Sequence, residues 1–176
     1  PSLLRGVGGV WQTDSVPHPE WGQKNNSRDL VDGWEVIVER WAKNVALPFL
    51  RNGTVVGVYI GDELCSHNIY PCWKLSMGPL LKKVRALLGP KAILYTNECE
   101  SSFSNHTGPS LDKLPPELDL ISFDAYAGLT VDSNASKEVD IVSGYLNQAI
   151  FGMMWPHQKA LLVPGMFQCA NVMSFN

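Results

Sequence analysis

Thr54-Val-Val-Gly-Val-Tyr-Ile60, with Gly61-Asp62-Glu63 directly behind it, is the stretch on which the fold turns. It is a nearly continuous β-branched and aromatic run. A parallel strand covered on both faces reads this way, whereas a half-exposed strand alternates apolar and polar residues. Two adjacent acids then follow with no turn-forming reason for both. They stand where such a strand ends, which is where parallel α/β folds place their ligands.

Downstream of this strand the chain alternates strand and helix signals. Ser76 is a candidate cap for a helix with Leu80, Leu81, Val84, Leu87 and Leu88 at helical spacing, stopped by Gly89-Pro90. Ala92 to Thr96 is a second strand and Leu118 to Phe123 a third, with a loop rich in Ser, Asn and Pro between them. Ser136 opens a long helical pattern carrying Val139, Val142, Tyr145, Leu146, Ile150 and Met153 up to Pro156, and Ala160 to Val163 is the last strand. Upstream, Leu3 to Trp11 is a glycine-rich candidate strand, and Trp11 to Arg28 reads as a polar loop. Asp32-Gly-Trp-Glu35 has capping-box spacing ahead of Trp34, Ile37, Val38, Trp41 and Val45, and Pro48 is expected to kink or end that helix. Trp34, Trp41 and Trp155 fall on helical apolar faces and are assigned to the core.

This order predicts an α/β fold with a parallel sheet. The steps from Glu63 to Glu98, Asp124 and Gly165 are each roughly one βα unit, as in a (β/α) barrel of TIM type. The doubly wound alternative lacks its phosphate-binding turn, since Gly6-Val-Gly-Gly9 is not G-x-G-x-x-G. A complete barrel takes about 250 residues, and about five βα units are legible here. The expectation is therefore a single domain over 1–176 that forms part of a larger (β/α)8 barrel, because the chain starts abruptly and stops soon after a strand.

Composition narrows the partners. The chain is 45% hydrophobic and 18% charged with a net charge of −3, and its pI is near 5.8. A nucleic-acid surface needs clustered basic residues, which are absent, and no apolar run is long enough to span a bilayer. Four Asn-x-Ser/Thr sequons, at Asn25, Asn52, Asn105 and Asn134, fall in expected loops or element ends and point to N-linked glycans on a secreted protein. The even set Cys65, Cys72, Cys99 and Cys169 agrees with an oxidising compartment. It allows three pairings. Cys65 with Cys72, closing a short loop beside the acidic pair and leaving Cys99 with Cys169, is preferred. The neighbouring-strand alternative pairs Cys65 or Cys72 with Cys99.

Three successive strand ends carry carboxylates: Asp62 and Glu63, then Asn97 and Glu98, then Asp124 with Tyr126. Acids just past buried strands cost desolvation unless they are paired or used, and converging acids raise the pKa of at least one. Glycosidic cleavage asks for such a set: one protonated acid for the leaving oxygen and a second group to stabilise the cationic centre. Each acid taken alone also fits a helix N-cap or an ion pair at the sheet rim. Glu63, Asp62, Glu98 and Asp124 are the catalytic candidates. Tyr126, Asn97, Trp11, Trp73 and Tyr59 are the sugar-binding candidates, the four aromatic ones with rings that can stack on a pyranose face. No cofactor is implied. The four histidines, at 18, 67, 106 and 157, lack paired spacing for a metal, and Cys65-Ser-His67 is better explained by a disulfide than by a thiol nucleophile.

Val58-Tyr-Ile-Gly-Asp-Glu63 resembles the fourth-strand end of TIM-barrel glycoside hydrolases. It is most similar to the Gly-Asp-Glu of β-N-acetylhexosaminidases. That resemblance implies Glu63 as the acid and Asp62 as the residue orienting the substrate's acetamido group. Ser122-Phe-Asp-Ala-Tyr126 is similar to the sixth-strand end of chitinase-like barrels, where Tyr and Asp lie near the cleaved sugar. Tyr95-Thr-Asn-Glu98 looks like the Asn-Glu strand end of retaining glycosidases, one strand later than their acid. Two departures stand beside these. The chitinase D-x-x-D-x-D-x-E spacing is absent, and the last strand ends in Val163-Pro-Gly-Met-Phe167 without a nucleophilic glutamate. Three outcomes follow: a substrate-assisted mechanism, a nucleophile among Glu98 and Asp124, or a barrel that binds sugar without cutting it.

Overall fold

The computed structural model describes residues 2–5, 11–14, 27–65, 72–99, 113–125, 143–144, 147 and 151–164. Its centre is a parallel sheet of five strands: β1 (Ser2–Arg5), β4 (Val55–Asp62), β5 (Ile93–Cys99), β6 (Leu120–Ala125) and β7 (Lys159–Pro164). They lie side by side in chain order, β1-β4-β5-β6-β7, and every pairing is parallel. The expected α/β parallel architecture is present. Among the described residues the sheet is open, with β1 and β7 as its edges, so closure into a ring is not part of what is seen.

The segment expected to be one polar loop instead holds a two-stranded antiparallel ribbon, β2 (Trp11–Asp14) with β3 (Ser27–Leu30), paired from Trp11↔Leu30 to Asp14↔Ser27. Neither strand has an apolar run. The pairing rests on backbone bonds, which leave no hydrophobic pattern to read.

α1 (Trp34–Trp41) begins without the expected capping box. Gly33 occupies the N-cap position at φ 74°, and no side chain caps the helix. Asp32 sits one residue too early. The entry is closed by backbone, with the Trp34 N–H donating to the Val31 carbonyl and the Val36 N–H to the Gly33 carbonyl, each at 3.1 Å.

Pro48 does not end the helix. A π-helical turn over Ala42–Ala46 precedes α2 (Leu47–Arg51), and the proline takes up one of its first positions. The physical reason lies in the hydrogen-bond register. Proline has no N–H, and its ring crowds the carbonyl four residues back. In the widened turn the Leu47 N–H reaches back to the Ala42 carbonyl, five residues away. The same device recurs at Pro79. A π-helical turn over Trp73–Met77 leads into α3 (Gly78–Leu88), with the Gly78 N–H on the Trp73 carbonyl. Ser76 is therefore not a cap; it is buried inside that turn. α3 stops where expected, at Gly89 with φ 84°.

The core lies between the helices and one face of the sheet. Val58, Ile60, Leu94 and Ile121 meet Val38, Met77, Leu80, Leu81 and Val84 there, all essentially inaccessible to water. Each such side chain contributes about 1.5–3 kcal/mol by leaving water. The sheet residues of the cluster all come from this face. Trp34 and Trp41 pack against the cluster from its margin. Trp155 corrects its core assignment: it lies past the last helical turn, Phe151–Met153, and is 39% exposed, with its indole N–H donating to the Leu114 carbonyl at 2.7 Å. Most of the helix expected between 136 and 155 lies outside the described residues.

Arg85 locks the other end of the layer. Its guanidinium donates to the Gly89, Ala92 and Glu117 carbonyls and pairs with Asp119, whose carboxylate also accepts the Leu94 N–H at 2.8 Å. One side chain thus joins the end of α3 to the starts of β5 and β6.

Candidate functional site

Side chains along a strand alternate faces, so residues three apart point in opposite directions. Tyr59 and Asp62 break that rule. Tyr59 pairs with Tyr95 and Asp62 with Asn97, three residues of β4 against two of β5. The extra residue is a β-bulge, a device that re-aims a strand end. It turns Asp62 onto the Tyr59 face, opposite the helices, and the Tyr59 hydroxyl reaches Asp62 Oδ1 at 3.0 Å. Gly61 lies inside the bulge. A Cβ there would sit 2.5 Å from Leu64 Cδ1, so any side chain at this position requires Leu64 to shift.

Asp62 is the end of a directed hydrogen-bond chain. Asn97 Nδ2 donates to Asp62 Oδ1 at 2.8 Å, and Asn97 Oδ1 accepts a short bond from the Ser122 hydroxyl. Tyr95 and Ser122 oxygens are 2.6 Å apart. Since the single Ser122 proton is committed to Asn97, Tyr95 is the donor in that last contact. Proton donation therefore runs from Tyr95 through Ser122 and Asn97 to Asp62, with Tyr59 joining from the side. Such chains polarise one another in the direction of the terminal acceptor. Asn97 is 8% exposed and Ser122 is buried, whereas Asp62 is exposed. The Tyr59 and Tyr95 rings lie 5.1 Å apart, tilted by 31°. A carboxylate held by two donors at the mouth of an otherwise buried polar chain is an oriented acceptor for a ligand N–H or O–H.

Glu63, half-buried, follows at φ 48°, the left-handed region that side-chain-bearing residues rarely adopt. Its N–H donates to the Asn97 carbonyl at 2.8 Å. Glu98 points to the opposite face of the sheet from Asp62. It belongs to the alternate set of β5 that faces the helices, is fully buried, and accepts the Leu64 N–H at 3.2 Å and the Cys65 N–H at 3.0 Å. Thr96, on the same face, donates to the Gly61 carbonyl at 3.1 Å and lies 3.4 Å from Glu98 Oε1.

The remaining candidates divide as follows. The backbone of Asp124 sits beside Cys99 and Val163 in the register, two residues on from Ser122; its side chain lies outside the description, and Tyr126 is outside the described residues. Trp11 opens β2, with its side chain likewise not described. Trp73 is not a loop residue. It heads the π-helical turn before α3 at 1% exposure, so its ring belongs to the core and has no face for a sugar. The Cys65–Cys72 disulfide is present, with Cα atoms 5.5 Å apart. Cys169 and the Cys99 side chain fall outside the description, as do Asn25, Asn105 and Asn134. Asn52 is exposed at the end of α2, its Oδ1 accepting the Thr54 N–H at 2.9 Å.

Two residues of the site, Tyr95 and Ser122, were not singled out by the sequence reasoning. Their signal was parity: Tyr95 shares a strand face with Asn97, and Ser122 stands two residues before Asp124. Among the described residues no group of three or more His, Cys, Asp or Glu side chains is placed to hold a metal ion, and no helix is long and apolar enough to cross a membrane. Comparison with protein-family models, with curated proteins and with solved structures found no match for this chain.

Proposed function

We propose that this chain is an arc of a (β/α)8 barrel of TIM type that binds a carbohydrate at its strand carboxyl ends and hydrolyses a glycosidic bond, with Glu63 as general acid and Asp62 as the orienting carboxylate. The observation that carries this reading is the convergence of Tyr59 and Asn97 on an exposed Asp62, on the sheet face away from the helices. In a closed barrel that face is the interior, and its carboxyl end is where such enzymes hold substrate. Strands in chain order with helices packed on one face support the barrel over a doubly wound sheet, which is covered on both.

With Glu98 committed to backbone amides, the second group comes from the substrate or from Asp124. For a 2-acetamido sugar the chemistry closes on the residues in hand. Glu63 gives its proton to the leaving oxygen as the C–O bond breaks, and the acetamido oxygen, oriented through its N–H on Asp62, bonds to the anomeric carbon. Water then opens that ring and returns a proton to Glu63. An exposed Asn52 sequon and the Cys65–Cys72 disulfide support a secreted glycoprotein carrying N-linked glycans.

A glycan array combined with a hydrolysis screen on the same glycans tests the reading. Glu63→Gln is expected to lower turnover by about 10²–10⁴-fold while sugar binding persists. Unchanged turnover removes Glu63 from the mechanism. The burial of Glu98 also favours a second reading, a non-catalytic carbohydrate-binding barrel, and binding without turnover of any bound glycan selects it.

A further inference from the structure

Three consecutive amides beyond β4 all point at the end of β5. Glu63 N–H meets the Asn97 carbonyl, and the Leu64 and Cys65 N–H groups meet the two oxygens of Glu98. The last two of these amides hold the Glu98 carboxylate between them as a small anion cradle, the arrangement that successive N–H groups make around phosphates and clusters. Here the anion is supplied by the protein itself. The cradle exists only while Glu63 keeps its φ of 48°, because that residue starts the turn which brings the next two amides round. Left-handed backbone at a residue with a side chain persists only where its surroundings over-determine it. The Glu98 carboxylate is part of that surrounding, together with the Asn97 carbonyl and the Cys65–Cys72 disulfide.

Resting on the reading of Glu63 as the acid, we propose that Glu98 is a positioning residue for Glu63: by accepting the Leu64 and Cys65 amides from the helix side of the sheet, it fixes the left-handed turn that aims the Glu63 side chain. Glu98 touches no substrate. The polar chain through Asn97 orients Asp62 on one face of β5, and Glu98 orients Glu63 from the other. Adjacent residues of one strand thus set the two adjacent acids separately.

The test follows Glu63 directly in the full chain. Carboxyl carbons of ¹³C-labelled protein are titrated by NMR, and amide exchange is measured at Leu64 and Cys65, in the wild type, Glu98→Gln and Thr96→Val. Glu98→Gln turns an acceptor oxygen into an NH₂ facing a backbone N–H, and exchange at the two amides is expected to rise about tenfold or more. The Glu63 carboxyl resonance is expected to move with it, while that of Asp62 stays in place. Thr96→Val, a near-isosteric change beside Glu98 Oε1, gives the same pattern to a smaller extent and carries the test should Glu98→Gln fail to fold. Faster exchange with an unmoved Glu63 carboxyl resonance in a folded variant makes Glu98 an anchor of the loop and nothing more, which overturns the proposal. Unchanged exchange does the same. A wild type that hydrolyses no glycan defeats the enzymatic reading, and the titration still decides whether Glu98 sets Glu63.

Discussion

At the scale of single residues, the site depends on positions where one atom more or less has no slack. Ser122 is buried between Asn97 Oδ1 and the Tyr95 hydroxyl, so Ser122→Ala removes one hydrogen bond from each. A loss of about 1–2 kcal/mol is expected, measured by urea unfolding, from the hydrogen bonds removed. Asp62 keeps its Tyr59 contact in that variant, so sugar binding is expected to weaken less than in Asp62→Ala. Gly61→Ala presses a methyl against Leu64 and is expected to destabilise by about 1–3 kcal/mol, as overpacked sites do. A variant of wild-type stability would mean that Leu64 repacks freely. The sequence placed Asp62 and Glu63 at the end of a buried strand, and they stand there. It could not separate Asn97 from Glu98. A one-residue difference in strand parity sends one to the site face and the other to the helices, and which face is which depends on packing that a single strand does not encode.

Among the elements, strands of the parallel sheet were legible because they are nearly continuous apolar runs with little charge, and α3 was legible from its periodicity and its Gly89 stop. Pro48 was expected to kink or end its helix, whereas the chain continues into α2 by shifting to five-residue hydrogen bonds one turn earlier, a device that recurs before Pro79. The β2–β3 ribbon escaped because neither strand carries an apolar run. Elements are then joined by a few polar anchors, of which Arg85 is the most connected. Arg85→Lys keeps the charge and loses the fork that serves three carbonyls and Asp119 together. About 1–2 kcal/mol less stability is expected in urea unfolding, a value set by the hydrogen bonds lost from a partly exposed group. Lys83 and Glu39 form a salt bridge between α3 and α1 near the surface, and Lys83→Ala is expected to cost under about 1 kcal/mol. The contrast between the two cations checks whether backbone carbonyls, more than charge, hold the layer.

For the whole molecule, the decisive property is what the site face of the sheet meets. Leu161 lies beside Ser122 in the register and is 47% exposed, while Ala160 next to it packs against the core. The helix side of the sheet is thus filled and its other side is open at β7. A closed barrel fills that side with layers of side chains and leaves no edge strand. An open arc leaves β1 and β7 with one neighbour each, and their outward amides meet water. Native-state hydrogen exchange distinguishes the two. For the sheet as it stands, amides of β4, β5 and β6 are expected to exchange slowest and those of β7 and β1 fastest, since each inner strand has a hydrogen-bonded strand on both sides. The gradient is expected to steepen in Leu161→Lys, which loosens an edge already exposed, with little change at β5. Equal protection across all five strands, together with strong destabilisation by Leu161→Lys, would instead mean that β1 and β7 are covered and that the Asp62 face is enclosed. The second outcome turns the oriented carboxylate from a surface feature into the wall of a chamber, which is the setting that carboxylate catalysis requires to keep water from its donors.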